Sequence, residues 1–154
     1  MSEPLKVTGM VLQSAPSGEY DRRIIMLTKE RGKITAFARG ARRANSTLLG
    51  AAAPFSFGTF TVYEGRNAYT LSKADISNYF MEIREDYTAA CYGCYFMEVA
   101  EYYTRENLDG SDMLNLLYAA LRALMNEKLD NELIRCIFEM KAMVQNGEYP
   151  YETA

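Results

Sequence analysis

Apolar and polar positions alternate over the first half of the chain and recur at three- and four-residue steps over the second. Residues 5–14 (LKVTGMVLQS) form a β-branched, unbroken run that stops at turn chemistry, Ala15-Pro16-Ser17-Gly18. Residues 20–28 (YDRRIIMLT) read as a second strand. Lys29-Glu30-Arg31-Gly32 is a tight connection in which glycine supplies a positive φ. Residues 33–38 (KITAFA) make a third strand, and residues 40–50 (GARRANSTLLG) an irregular loop with room for a helical turn. A fourth strand over 55–63, a hairpin turn at Glu64-Gly65-Arg66-Asn67 and a fifth strand over 68–74 complete the half. Five short strands predict a small closed barrel such as the five-stranded OB-fold. An SH3-like barrel is the rival, and strand count alone does not separate the two.

Residues 79–105 are rich in Ala, Glu, Met and Tyr and contain no proline, which predicts a helix with a first short turn breaking near Ile83. One apolar line runs through Tyr92, Phe96, Val99 and Tyr103, and a second through Tyr87, Cys91, Tyr95 and Tyr102. Glu98, Glu101 and Arg105 supply the wet stripe. Asn107–Gly110 breaks the pattern. Ser111 or Asp112 caps a second helix with Leu114, Leu117, Tyr118, Leu121, Leu124 and Met125 inward. Asp130 or Asn131 caps a third, whose stripe is Leu133, Ile134, Ile137, Phe138, Met140 and Val144. Gly147 reads as its C′ residue, with Pro150 just beyond. The fold class expected is α+β, an OB barrel over residues 1–78 followed by a helical bundle over 79–154. Short links favour antiparallel neighbours.

Composition adds little to this picture, and charge adds more. With 49% apolar and 24% charged residues the 154-residue chain is ordinary globular material, neither disordered nor coiled-coil. No apolar run is long enough for a membrane span, and Met1-Ser2-Glu3-Pro4 does not open a signal peptide. The net charge of −3 hides an asymmetry. Residues 1–75 carry 11 Lys/Arg against 6 Asp/Glu, a net of +5, whereas residues 76–154 carry 6 against 14, a net of −8. Such a split points to two units with different partners. A basic face attracts phosphate even on an acidic molecule, because screening limits each charge to roughly 8 Å at physiological salt.

The chemistry narrows in the same direction. There is no histidine, which removes serine–histidine triads and HExxH zinc sites. No GxxxxGK[ST] or GxGxxG occurs, and Glu82, Glu85 and Asp86 read as a solvated face rather than paired catalytic carboxylates. Cys91-x-x-Cys94 lies inside a helix with no second pair, so these thiols and Cys136 are expected to pack as small hydrophobes. Met97, Met113, Met125, Met140 and Met143 read mostly as core, with an adaptable partner groove as the alternative. No enzyme, metal or cofactor is expected. The strongest feature is a basic cluster: Arg22, Arg23, Lys29, Arg31, Lys33, Arg39, Arg42, Arg43 and Arg66. Period-2 geometry puts Lys33, Thr35, Phe37 and Arg39 on one face of the third strand and Ile34, Ala36 and Ala38 on the other. Cations along a strand with a ring among them suit a single-stranded nucleic acid, whose phosphates meet the cations while a base stacks on the ring. A solvated basic surface without a ligand is the plain alternative, and Phe37 is read either as that ring or as core.

The order of motifs resembles the RecO family of bacterial recombination mediators. It rests on Glu19-Tyr20-Asp21 leading to Leu27-Thr28, the Gly32-Lys33 turn, Ala38-Arg39-Gly40-Ala41-Arg42-Arg43, and Phe138-Glu139 followed by Gly147-x-x-Pro150. The resemblance covers the whole chain and implies an OB-fold before a helical domain. It also implies binding of single- and double-stranded DNA, strand annealing, partnership with RecR and single-stranded-DNA-binding protein, assistance to RecA loading, and a cytoplasmic, nucleoid-associated location. Carried over, the DNA-binding surface matches Arg39, Arg42 and Arg43 first, then Arg22, Arg23, Arg31 and Lys33. Many family members continue past the glycine–proline motif into a four-cysteine zinc module. This sequence stops at Ala154 with no cysteine after Cys136, as a fragment would, and no zinc is expected of it.

Overall fold

The computed structural model describes residues 3–148; Met1, Ser2 and residues 149–154, including the expected Pro150, lie outside the described residues. The chain divides into two units. One comprises Met1–Phe80 with Thr104–Ser111, the other Met81–Tyr103 with Asp112–Ala154.

The length and bend of the first strand close the barrel. β1 (Pro4–Ser17) pairs antiparallel through Pro4–Met10 with β4 (Phe57–Glu64), and through its later residues with β2 (Asp21–Thr28). It pairs with both at Gly9 and Met10, and a bulge between Val11 and Gln13 bends it just past the last residue paired with β4. β3 (Gly32–Ala38) is antiparallel to β2, while β5 (Tyr69–Asn78) is antiparallel to β4 and parallel to β3. The closed order β1-β2-β3-β5-β4 is that of the OB-fold, which decides between the two barrels left open by strand count.

Alternation fills the interior. Gly32, Ile34, Ala36 and Ala38 of β3 are buried while Lys33, Thr35 and Phe37 are half-buried on the outer face. Val7, Val11, Ile24, Met26, Phe60, Val62 and Leu71 join the inner set. The connection from β3 to β4 carries turns rather than a helix, and it adds Ala41, Leu48 and Ala52 to the same core. The loop is therefore anchored at several points by apolar contact.

Residues 104–111 also belong to the barrel, which sequence periodicity gave no reason to expect. Lys33 N donates to Arg105 O at 3.1 Å, Asn107 N to Arg31 O at 2.9 Å, and Gly110 N to Lys29 O at 3.2 Å. Close approach makes this possible. A Cβ on Gly32, whose φ is +66°, would lie 2.1 Å from Arg105 O, and one on Gly110 would lie 2.2 Å from Thr28 O.

In the other unit, α1 (Met81–Arg84) precedes α2 (Tyr87–Tyr103), with the break near Ile83 expected from sequence. α3 (Ser111–Leu124) and α4 (Asn131–Gln145) follow. Asp86 caps α2, its carboxylate accepting from Ala89 N at 3.2 Å. α4 ends as predicted. Gly147 has φ +70°, Gly147 N donates to Val144 O, and Glu148 N to Met143 O, the paired bonds of a Schellman motif. Phe96 of α2 stacks on Phe138 of α4, with ring centroids 4.4 Å apart.

Two helix faces differ from expectation. On α2 the buried line is Ala89, Gly93, Phe96, Met97 and Ala100. Small residues admit the neighbouring helix, whereas the size of the rings predicts a line of tyrosines. Tyr87, Tyr95 and Tyr102 are consequently exposed, at 84%, 37% and 68%. Cys91 and Cys94 lie off that line and are exposed, as is Cys136 on α4, so the expectation that these thiols pack in the core is overturned. On α4 only Ile134, Phe138 and Ala142 are buried, leaving Leu133, Ile137, Met140 and Val144 outside. Among the described residues no helix is long and apolar enough to cross a membrane.

Candidate nucleic-acid interface

The cationic residues fall into two groups at opposite ends of β3. At the Ala38 end, Phe37 pairs with Arg23 across β2 and β3. Directly opposed residues share a face, so the exposed Arg23 and the half-buried Phe37 stand side by side on the outside of the barrel. Arg22, opposite Ala38, takes the other side and donates from Nη1 to Ser14 Oγ at 3.3 Å.

Arg39, Arg42 and Arg43 follow at once on the loop leaving β3. That loop is pinned to the turn between β1 and β2. Gly40 N donates to the Asp21 carboxylate at 2.7 Å and Arg42 N to Tyr20 O at 2.8 Å. Arg42 Nη1 donates to Gly18 O at 2.9 Å, and the Arg43 guanidinium lies over the Tyr20 ring, 3.8 Å from its centroid. Arg42 and Arg43 thus hold two loops together as well as presenting charge, while Arg39 projects as an exposed residue. Tyr20 was legible only as the start of a strand. The signal that would have found it is its place in the same turn as Asp21, opposite an arginine-rich loop.

Arg31, Lys33 and Arg66 sit at the Gly32 end, roughly 17–20 Å away at about 3.3 Å per residue along β3. Arg66 is placed there by the parallel pairing of Tyr69 with Ala36, which carries the β4–β5 turn to the start of β3. This end is neither as open nor as positive. Leu27 and Thr28 are fully buried, and Gly110 of the returning segment stands on them. Glu106 bridges Gly32. The Asp109 carboxyl is held below its usual range, chiefly by hydrogen bonds from Ser111 and additionally by the charge of Lys29. The barrel therefore gathers Arg23, Phe37, Arg39, Arg42 and Arg43 at the Ala38 end, sets Arg22 at that end but on the opposite side of the sheet, and keeps Arg31, Lys33 and Arg66 apart from them. Among the described residues no group of three or more Cys, Asp or Glu side chains is placed to hold a metal ion.

Comparison with known proteins agrees with this architecture. Residues 1–80 match the family model for the N-terminal part of recombination protein O, and residues 84–154 match the model for its C-terminal part. The chain is 35% identical over 150 residues to the DNA repair protein RecO of Alkaliphilus metalliredigens (strain QYMF), covering 97% of this chain and 61% of that one. It is 34% identical over 146 residues to that of Bacillus pumilus (strain SAFR-032), covering 95% and 57%, and 32% identical over 145 residues to that of Bacillus subtilis (strain 168), covering 94% and 56%. The chain thus spans about 60% of the length of these curated relatives. With a five-stranded OB barrel, a helical unit after it and both family models matched in order, the chain belongs to the RecO family.

Proposed function

We propose that the chain is a non-enzymatic DNA-binding mediator of recombinational repair. It binds single- and double-stranded DNA, anneals complementary strands, and works with RecR and single-stranded-DNA-binding protein to assist RecA loading. The observation that carries this is the outer face at the Ala38 end, where Arg23 flanks Phe37 and the pinned loop adds three arginines. Phosphates meet the guanidinium groups, which displaces condensed counterions, and a base stacks on the half-buried ring. Neutralising two strands on one surface while leaving base edges free is what annealing requires.

Fluorescence anisotropy of labelled single-stranded DNA across a salt series tests it. Arg23→Ala with Arg39→Ala lowers affinity and flattens the log–log salt slope by about 0.7 per lost phosphate contact. Arg31→Ala with Arg66→Ala leaves the slope nearly unchanged. The reverse ranking, or equal effects from both pairs, refutes the placement. A second reading, with the helical half docking partner peptides and the barrel as scaffold, is favoured by the apolar groove of α3 and α4. That groove is lined by Leu116, Leu129, Leu133 and Ile137 and has a volume of about 170 Å³. Binding of RecR that requires the groove and is indifferent to Arg23 and Arg39 would favour it.

A further inference from the structure

A second groove, formed by α2 and α4, has a different chemistry. Its volume is about 350 Å³, and it is lined by Tyr95, Tyr102, Tyr103, Glu98, Glu139 and Met143 among others. Among the described residues the lining holds two carboxylates and no lysine or arginine. Tyr102 and Tyr103 meet edge to face, with centroids 5.0 Å apart and planes at 79°. Two of the hydroxyls already have acceptors: Tyr95 donates to Glu139, and Tyr103 donates to Glu148 at 3.0 Å. A phenol donating to a carboxylate leaves its ring face richer in electron density, and a ring face attracts cations through its quadrupole. Arg135 of α4 is engaged with Glu132 at 2.9 Å and with the lining residue Glu139 at 3.4 Å. The half of the chain that carries the groove has a net charge of −8.

We propose that this groove is a binding site for a basic segment of a partner protein, which lays an arginine side chain against the exposed face of the tyrosine pair. A planar guanidinium stacks on aromatic faces and forks onto a carboxylate, which an ammonium does less well, and Glu98 is the carboxylate at hand. The volume suits one side chain and its flanks rather than a folded unit, lying at the low end of the range for small-ligand pockets. A polyanion is excluded by the same charge that attracts the peptide. The site is independent of the DNA reading, since no residue is shared between them.

The test is a titration of the full 154-residue chain with an acetyl-Gly-Arg-Gly-Arg-Gly amide peptide, followed by two-dimensional NMR of the tyrosine rings. Saturable shifts at the Tyr102 and Tyr103 rings are expected with this peptide, and none with its citrulline counterpart. Tyr102→Leu and Glu98→Gln each weaken binding about 2–5-fold, as a cation–π contact at an exposed site predicts. Because both side chains are exposed, the variants are expected to keep the parent's thermal midpoint. Glu127→Gln, an acid of the same unit that does not line the groove, leaves binding unchanged. Absence of ring shifts at millimolar peptide overturns the proposal. So does equal weakening by Glu127→Gln, which would mean diffuse attraction only. Self-association that Tyr102→Leu abolishes in sedimentation would also overturn it, because a second copy would then be the occupant.

Discussion

Replacing Gly32 by alanine tests whether the returning segment is part of the barrel. The residue sits at φ +66°, where a side chain costs roughly 1–2 kcal/mol. The added Cβ would also meet Arg105 O at 2.1 Å and Leu108 O at 2.6 Å, both backbone atoms that no rotamer change can move. Relief requires residues 104–111 to shift, weakening the three amide bonds they share with Lys33, Arg31 and Lys29. At about 0.5–1.5 kcal/mol each, these bring the expected loss to roughly 3–6 kcal/mol. Gly18→Ala is the control, since Gly18 has φ +65° but nothing within 4 Å of the new Cβ. It pays the backbone term alone. Urea unfolding gives both losses, and hydrogen exchange locates them. The Lys33, Asn107 and Gly110 amides exchange faster in Gly32→Ala and not in Gly18→Ala. Equal losses in the two variants, or unchanged protection at those amides, would refute the argument.

Acidification loosens α4 from α2. Hydrogen bonding by Tyr92, then by Arg135, holds the Glu132 carboxyl below its usual range, so this stabilisation is complete above the ordinary carboxylate pKa and disappears as pH falls through the lowered one. The same bond holds the Tyr92 hydroxyl above its usual range, so a second loss begins as pH rises past the ordinary phenol pKa. NMR titration of Glu132 in Tyr92→Phe should show its midpoint rising, and an unmoved midpoint would break the link. Cys91, Cys94 and Cys136 are alkylated by iodoacetamide without denaturant, with Cys94 slowed because partial burial, and then Cys91, push its thiol up; mass spectrometry showing modification only after unfolding would return them to the core.

Local pattern carried the strands and helices far. Alternation in KITAFA placed Ile34, Ala36 and Ala38 inside and Phe37 outside, and Gly147 ended α4 as its chemistry required. What pattern missed was set by tertiary contact. Closing order came from the pairing of β3 with β5, which no local signal specifies. On α2, glycine and alanine form the buried line because small side chains let helices approach, so hydrophobic size pointed at the wrong tyrosines and cysteines. The basic cluster was visible as composition. Its division in two was not, because it depends on β2–β3 register and on acids brought back from residues 104–111.

That return of the chain also constrains how the protein is made. The barrel's last component is translated only after the whole of α2. The segment that covers the β2–β3 turn must wait through the synthesis of more than twenty residues, a second or more at the usual pace of about 5–20 residues per second. Until Gly110 has left the ribosome, Leu27 and the β2–β3 turn stay uncovered on the nascent chain, and any pause in translation before that point lengthens the exposure.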